Sequence, residues 1–333
     1  MAQVIDGDEI NFAEYMAETE SRQKVRKASE YIDEVIDSLF SGAPEPGACL
    51  PWNKTHKHFR FRNGEVTLWI GINGHGKSLV TGQAGLSLLG QGVKACIASF
   101  EMKPRKTLAR MGRQWAGQAP TRDITNQFAV EQARDTYRQF GEWTDDKLWL
   151  YDQQGTVKPE TVLGVVRYCA VELGIGHVFI DSLMKCIKAE DDYNGQKDFV
   201  NELCALAADL DIHIHLVHHI KKLPNEDQEP GKFDAKGSGS ITDQVDNVLV
   251  IWRNKRKEKD MKAGKPIDTD EPDALVICDK QRNGEWEGKV GLYFDNSSNQ
   301  FAAAFNAKPM NFTVFPHAPW SDHSARAHLG GGQ

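Results

Sequence analysis

The chain has 333 residues, of which 40% are hydrophobic and 26% charged, with a net charge of −7. This is the composition of a globular protein with ample core, which excludes disordered, collagen-like and coiled-coil chains. No apolar run approaches the ~20 residues of a membrane helix, and the acidic opening MAQVIDGDEINFAEY does not read as a signal or transit peptide.

The negative balance argues against a basic coat over the whole surface but leaves room for a local nucleic-acid channel. Six scattered cysteines without a C-x-x-C spacing read as reduced core thiols of a cytoplasmic protein.

Residues 11–40 lack glycine and proline and are dense in helix formers, so one or two charge-rich helices are expected there. SGAPEPGACLP (41–51), with three prolines and two glycines, reads as a linker. This sets an expected helical N-terminal extension at 1–45, a single globular domain at 46–308 and a flexible tail at 309–333. Within the domain, strands are expected at 66–70, 94–100, 148–152, 177–181, 212–218 and 247–252. Helices are expected at about 77–90, 103–116, 158–173 and 195–210. Such alternation predicts an α/β fold with a mostly parallel sheet covered by helices on both faces.

The first strand runs into GINGHGKS, which fits G-x-x-x-x-G-K-[ST]. Glycines permit φ > 0 and close backbone approach, so Gly71, Ile72, Asn73, Gly74, His75 and Gly76 are expected to turn N–H groups onto phosphate oxygens. The N-terminus of the following helix adds its dipole, Lys77 reaches the β- and γ-phosphates and the Ser78 hydroxyl holds Mg²⁺. A bare Gly-rich turn before a core helix is the bland alternative. The expected ligand is ATP or another nucleoside triphosphate with Mg²⁺.

Other groups of such a site belong at the C-terminal ends of neighbouring strands. HVFID ends in Asp181, suited to Mg²⁺, although a helix N-cap would also select Asp. KACIASFEM carries Glu101, placed to accept a proton from an attacking water, or merely a solvated carboxylate. Asn283-Gly284 between two strand-like runs signals a hairpin, with Arg282 just before the turn. His213, His215, His218 and His219 share one strand-like run that lacks the further ligands a metal site needs.

GINGHGKS, SFEM, VFIDSL, IHLVHHIKK, KGSGSITDQVDNVLVI and DKQRNG, in this order, resemble the DnaB-like replicative helicases, hexameric superfamily 4 motors with a RecA-type core. The resemblance covers about residues 50–305 and extends to phage primase-helicases. It implies Glu101 as the catalytic base, Asp181 as the second acidic motif and His219 as a γ-phosphate sensor coupled to DNA. It also implies that Lys280 and Arg282 reach a neighbouring subunit's site, Arg282 as an arginine finger, with Arg253 the rival candidate. A surface Lys–Arg pair on an exposed hairpin is the plain alternative.

The stretch after His219 is a long polar segment in which Lys221, Lys222, Lys232 and Lys236 are candidates to pair with DNA phosphates. Gly237, Ser238 and Gly239 offer backbone N–H groups and a hydroxyl to the same ligand. Acidic neighbours offset these lysines, Phe233 is the one aromatic residue of the stretch, and a purely structural loop is the alternative. RNKRKEKDMKAGK (253–265) is either an insertion lining a ring or a solvated loop. The implied partners are single-stranded DNA, further copies of the chain in a hexameric ring, and a primase or polymerase in trans, in a bacterial or phage-infected cytoplasm and with no membrane. About forty residues before the motor leave no room for a priming domain. A RecA-type recombination or accessory ATPase, or a DNA-independent assembly ATPase, would use the same fold.

Overall fold

The computed structural model describes residues 3–5, 28–40 and 46–313, apart from 122, 188, 190, 226 and 238. Its strands are β1 (Gln3–Ile5), β2 (Val66–Gly71), β3 (Ala95–Ser99), β4 (Leu148–Tyr151), β5 (His177–Asp181), β6 (His213–Val217), β7 (Asn247–Arg253), β8 (Ala274–Gln281), β9 (Gly288–Asp295) and β10 (Gln300–Ala302). The α-helices are α1 (Ile32–Phe40), α2 (Lys77–Gly90), α3 (Pro104–Ala116), α4 (Gln127–Trp143), α5 (Pro159–Val171), α6 (Tyr193–Leu210), α7 (Ser240–Gln244) and α8 (Lys255–Lys262).

The strands form one sheet in the order β1-β4-β3-β5-β6-β2-β7-β8-β9-β10. Pairing is parallel from β1 through β7 and antiparallel from β7 to β10. The central strands are apolar on both faces because both are covered. On one face Val66, Leu68 and Ile70 pack with Val165, Phe199 and Leu203 from α5 and α6. On the other, Trp69, Phe179 and Ile251 pack with Val80, Ala84 and Met111 from α2 and α3.

The second core also buries His177, His213 and His215 among Phe61, Trp69 and Phe179. The Trp69 indole N–H donates to His215 Nδ1 at 3.2 Å. This leaves His215 Nε2 as the protonated nitrogen, which donates to His177 Nδ1 at 3.0 Å. Buried in this way, these three histidines are part of the core. All six cysteines are free thiols.

Several expectations are corrected. The extension is not wholly helical: Gln3–Ile5 adds a parallel strand to β4, using backbone groups an edge strand leaves unpaired. Residues 11–27 and 41–45 of that extension, and the tail from 314 onward, lie outside the described residues. α4 escapes the sequence pattern because only Phe140 of it is buried. The basic segment is no loop: Asn254 caps α8 through its side chain, which accepts the Lys257 N–H at 2.9 Å.

The hairpin exists, but Asn283-Gly284 is not its two-residue turn. The β8–β9 ladder ends at Cys278 and Gly288 while β8 runs on to Gln281 against β7, so residues 282–287 form the connection. Neither Asn283 nor Gly284 has the positive φ that a tight primed turn requires. The Asn283 amide instead donates to Glu65 Oε1 at 2.8 Å.

Among the described residues no helix is long and apolar enough to cross a membrane.

Candidate nucleotide site and DNA loop

Strand register assembles the site. Asp181 pairs with Ser99 of β3 and Val217 of β6, and Val217 pairs with Trp69 of β2. Glu101, His219 and Gly71 each lie two residues beyond those partners, so β3, β6 and β2 deliver them to one level, two residues past Asp181 of β5. On β7, Ile251 pairs with Gly71, which sets Arg253 two residues beyond that level. Around these ends opens a cleft of about 970 Å³.

Asn73, Gly74, Gly76, Lys77 and Ser78 line this cleft. Gly74 and Gly76 have φ of 80° and 92°, the left-handed region that glycine enters without strain. Gly71 is required for another reason: a Cβ there would stand 2.3 Å from the Ile251 carbonyl oxygen. Gly71, Ile72 and His75 form the back of the loop. The His75 ring is buried, its Nδ1 accepts the Arg253 backbone N–H at 3.0 Å, and burial lowers its pKa to about 4.

Lys77 curls back to donate to the carbonyls of Gly71 at 2.7 Å and Ile72 at 3.2 Å. Burial lowers its pKa to about 8, against the attraction of Asp181 and Glu101. The Ser78 hydroxyl lies 3.3 Å from Asp181 Oδ2. Burial, then the Glu101 charge, pushes the Asp181 carboxyl above its ordinary range, against the Ser78 hydrogen bond. A hydroxyl beside a half-buried carboxylate fits a hard divalent cation such as Mg²⁺.

Glu101 Oε1 accepts from the Ser182 hydroxyl at 2.8 Å and lies 3.5 Å from His219 Nε2. The His219 interaction leads the causes that lower its pKa to about 2, keeping it an ionised acceptor. Sequence reasoning missed Arg110 of α3 and Lys185, which also line the cleft. Nothing in the local pattern separates Arg110 from the other basic residues of its helix.

Lys280 and Arg282 are not brought into this cleft. β8 runs antiparallel to β7, so Gln281 pairs with Asn247 at the far end of the strand from Ile251. Four residues at ~3.3 Å each separate the two levels by about 13 Å. Arg253, by contrast, lines the chain's own cleft, its Nε 3.2 Å from Glu258 Oε2 and its guanidinium 4.4 Å from the Phe294 ring centre.

The polar stretch after His219 is pinned at its base. Ile220 bridges Ala235, the Lys236 N–H donates to the His219 carbonyl at 2.9 Å, and His218 Nε2 meets the Lys236 carbonyl. Gly237 has φ of 91° and packs so closely on Gln196 that a Cβ would fall 2.0 Å from its Oε1.

Lys221 and Lys222 are exposed, whereas Lys232 Nζ donates to the Asp279 carbonyl at 2.8 Å. Lys236 is half-buried and Gly239 exposed, while Ser238 lies outside the described residues. Phe233 is 82% exposed.

A parallel sheet with a phosphate loop at its centre, acidic groups on neighbouring strands and an antiparallel extension defines a RecA-like P-loop ATPase. Residues 60–303 match the family model for the DnaB-like helicase C-terminal domain, and the chain belongs to that family of ATP-hydrolysing helicases. The fold is similar to a solved ATPase domain, with a TM-score of 0.70 and 18% identity over 84% of this chain and 99% of that one. It is also similar to a DnaB-like replicative helicase described with its interactions with primase. There the TM-score is 0.68, with 18% identity over 84% of this chain and 68% of that one.

Proposed function

We propose that the protein is a ring-forming DNA helicase that hydrolyses ATP at subunit interfaces, translocates on single-stranded DNA and unwinds duplex during replication. The observation that carries this reading is the separation of two sets of residues. Lys77, Ser78, Glu101, Asp181 and His219 share one cleft, while Arg282 stands at the opposite end of the sheet with its side chain 50% exposed. A cleft without its finger and a finger without a cleft are complementary in a head-to-tail assembly. The exposed apolar stripe of Ile32, Val35, Ile36 and Phe40 on α1 supports assembly, because it suits a neighbouring subunit.

In this reading the loop N–H groups and Lys77 bind the triphosphate, with Mg²⁺ held by Ser78 and Asp181. The cation would neutralise charge on the β- and γ-phosphates. Glu101 accepts the proton of the attacking water, and Lys280 and Arg282 of one copy stabilise charge developing in the next copy's cleft. His219, bonded through its backbone to Lys236, links the γ-phosphate position to the stretch from Lys221 to Gly239. That stretch grips the DNA backbone without reading bases. A primase acting in trans suits the family.

The test is steady-state ATP hydrolysis with and without single-stranded DNA for wild type, Lys77→Ala and Arg282→Ala. We expect DNA stimulation in the wild type, loss in each variant and partial recovery when the two are mixed. A rate indifferent to DNA would overturn the motor reading in favour of a DNA-independent assembly ATPase. Hydrolysis and translocation without strand displacement would favour an accessory role.

A further inference from the structure

How Arg282 is mounted is not implied by the motifs. Asp246, just before β7, is only 8% exposed, and each of its polar groups is used. Oδ2 accepts the Val66 backbone N–H at 2.9 Å, while Oδ1 pairs with Arg282 Nη1 at 2.9 Å. The Asp246 carbonyl accepts the Arg282 backbone N–H at 2.9 Å, and the Asp246 N–H donates to the Val66 carbonyl at 3.1 Å. One residue thus holds Arg282 by backbone and guanidinium, and anchors both to the base of β2. The other end of β2 opens into the phosphate loop.

The rest of the mount comes from the C-terminus of α7. Arg282 Nη2 donates to the carbonyls of Asp243 at 3.2 Å and Gln244 at 3.1 Å. Lys280 Nζ donates to those of Thr242, Asp243 and Val245 at 2.7–2.8 Å. These carbonyls lack intrahelical partners at a helix end, which draws cations to them. α7 begins directly after the polar stretch that ends at Gly239. Glu65 braces the same corner, accepting from Asn247 and Asn283 at 2.8 Å each.

A free arginine side chain samples many rotamers, whereas the ion pair on Nη1 and the α7 carbonyls on Nη2 fix the guanidinium while the side chain stays half exposed to an incoming phosphate. We propose that Asp246 is the positioning residue of the Arg282 finger, acting on the neighbouring copy's reaction and not on its own. This rests on the reading of Arg282 as a group supplied in trans. The α7 carbonyls then make the end of the DNA-facing stretch part of the same mount.

The two readings separate in subunit-mixing experiments with single-stranded DNA present. Asp246→Asn keeps an oxygen for the Val66 N–H but removes the charge that holds Arg282. Its kcat is expected to fall about 10²-fold, the cost of an ångström-scale misplacement, with KM for ATP and thermal midpoint close to wild type. Mixed with Lys77→Ala, which retains an intact finger, Asp246→Asn recovers activity. Mixed with Arg282→Ala it does not, because neither copy then supplies a positioned finger.

The opposite pattern, recovery with Arg282→Ala but not with Lys77→Ala, would place the defect in the variant's own cleft and overturn the proposal, as would a wild-type rate. Asp246→Glu retains the charge and the Val66 contact while shifting the guanidinium. It follows the same complementation pattern, so either variant alone decides. Failure of Lys77→Ala and Arg282→Ala to complement each other would instead reject the trans finger itself.

Discussion

The backbone N–H of Lys236 donates to the carbonyl of His219 at 2.9 Å, so the residue beside Glu101 and the stretch proposed to meet DNA are hydrogen-bonded neighbours. In the proposed mechanism a displacement of His219 by nucleotide chemistry would reach Lys236 through one bond and the adjacent Ile220–Ala235 bridge. His219→Ala is therefore expected to abolish DNA stimulation of ATP hydrolysis while leaving nucleotide binding within a few-fold. His219→Gln, which retains a donor toward Glu101, should keep part of the stimulation. Hydrolysis and equilibrium nucleotide binding, each with and without DNA, check this.

Glu101 has its pKa lowered to about 2, so it is ionised throughout the working range and contributes no acid limb near the usual carboxylate value. Glu101→Gln should lower kcat by about 10²–10⁴-fold, the usual worth of a general base, with ATP affinity retained. A pH–rate profile of the wild type that stays flat from pH 7 down toward 5 would agree.

The buried histidines predict acid lability. Burial lowers the pKa of His213 to about 4 and those of His177 and His215 well below the ordinary value of 6.5. The unfolded chain therefore binds protons below pH 6.5 that the folded chain does not. Stability from this group is fully present above that pH and falls as pH drops toward 4. Each proton taken up on unfolding costs about 1.4 kcal/mol per pH unit. Urea denaturation from pH 7 to 4.5 should show a slope corresponding to more than one proton, reduced in His213→Gln.

Two glycines of the phosphate loop should respond differently to alanine. At Gly74 a Cβ meets nothing within 4 Å, so the cost is that of the left-handed conformation, about 1–2 kcal/mol. At Gly71 a Cβ collides with the Ile251 backbone, so β2 and β7 must shift apart. Gly71→Ala is expected to lower the thermal midpoint more than Gly74→Ala and to lose nucleotide binding.

Phe233 stands 82% exposed beside Lys232, whose Nζ is 5.8 Å from the ring centre. If the stretch carries DNA, Phe233→Ala should weaken single-strand binding by about 1–3 kcal/mol, the range for loss of one base stack. Fluorescence anisotropy with a labelled oligonucleotide at two salt concentrations checks this, because stacking loss leaves the salt slope unchanged.

The parallel core and the phosphate loop were legible in the sequence, since both rest on local chemistry. Fully buried strands are continuous apolar runs, and a phosphate loop needs glycines at fixed spacing before a lysine. The meeting of Glu101, Asp181 and His219 in one cleft was inferred from motif order and follows from strand register, which no local window contains. Asp246 and Val66, or Glu65 and Asn283, are far apart in sequence and have no spacing signature, so their bonds are visible only once β2, β7 and β8 are laid side by side. The Asn-Gly pair misled because it is a local turn signal, whereas here Glu65 draws the asparagine into a longer connection. The basic stretch misled because charge composition says nothing of an N-cap such as Asn254. Sequence determined which residues would fold into strands and where the glycine-rich loop falls. Tertiary structure decided which side chains share a cleft and which, like Arg282, stand apart from it, because antiparallel β8 carries them to the opposite end of the sheet.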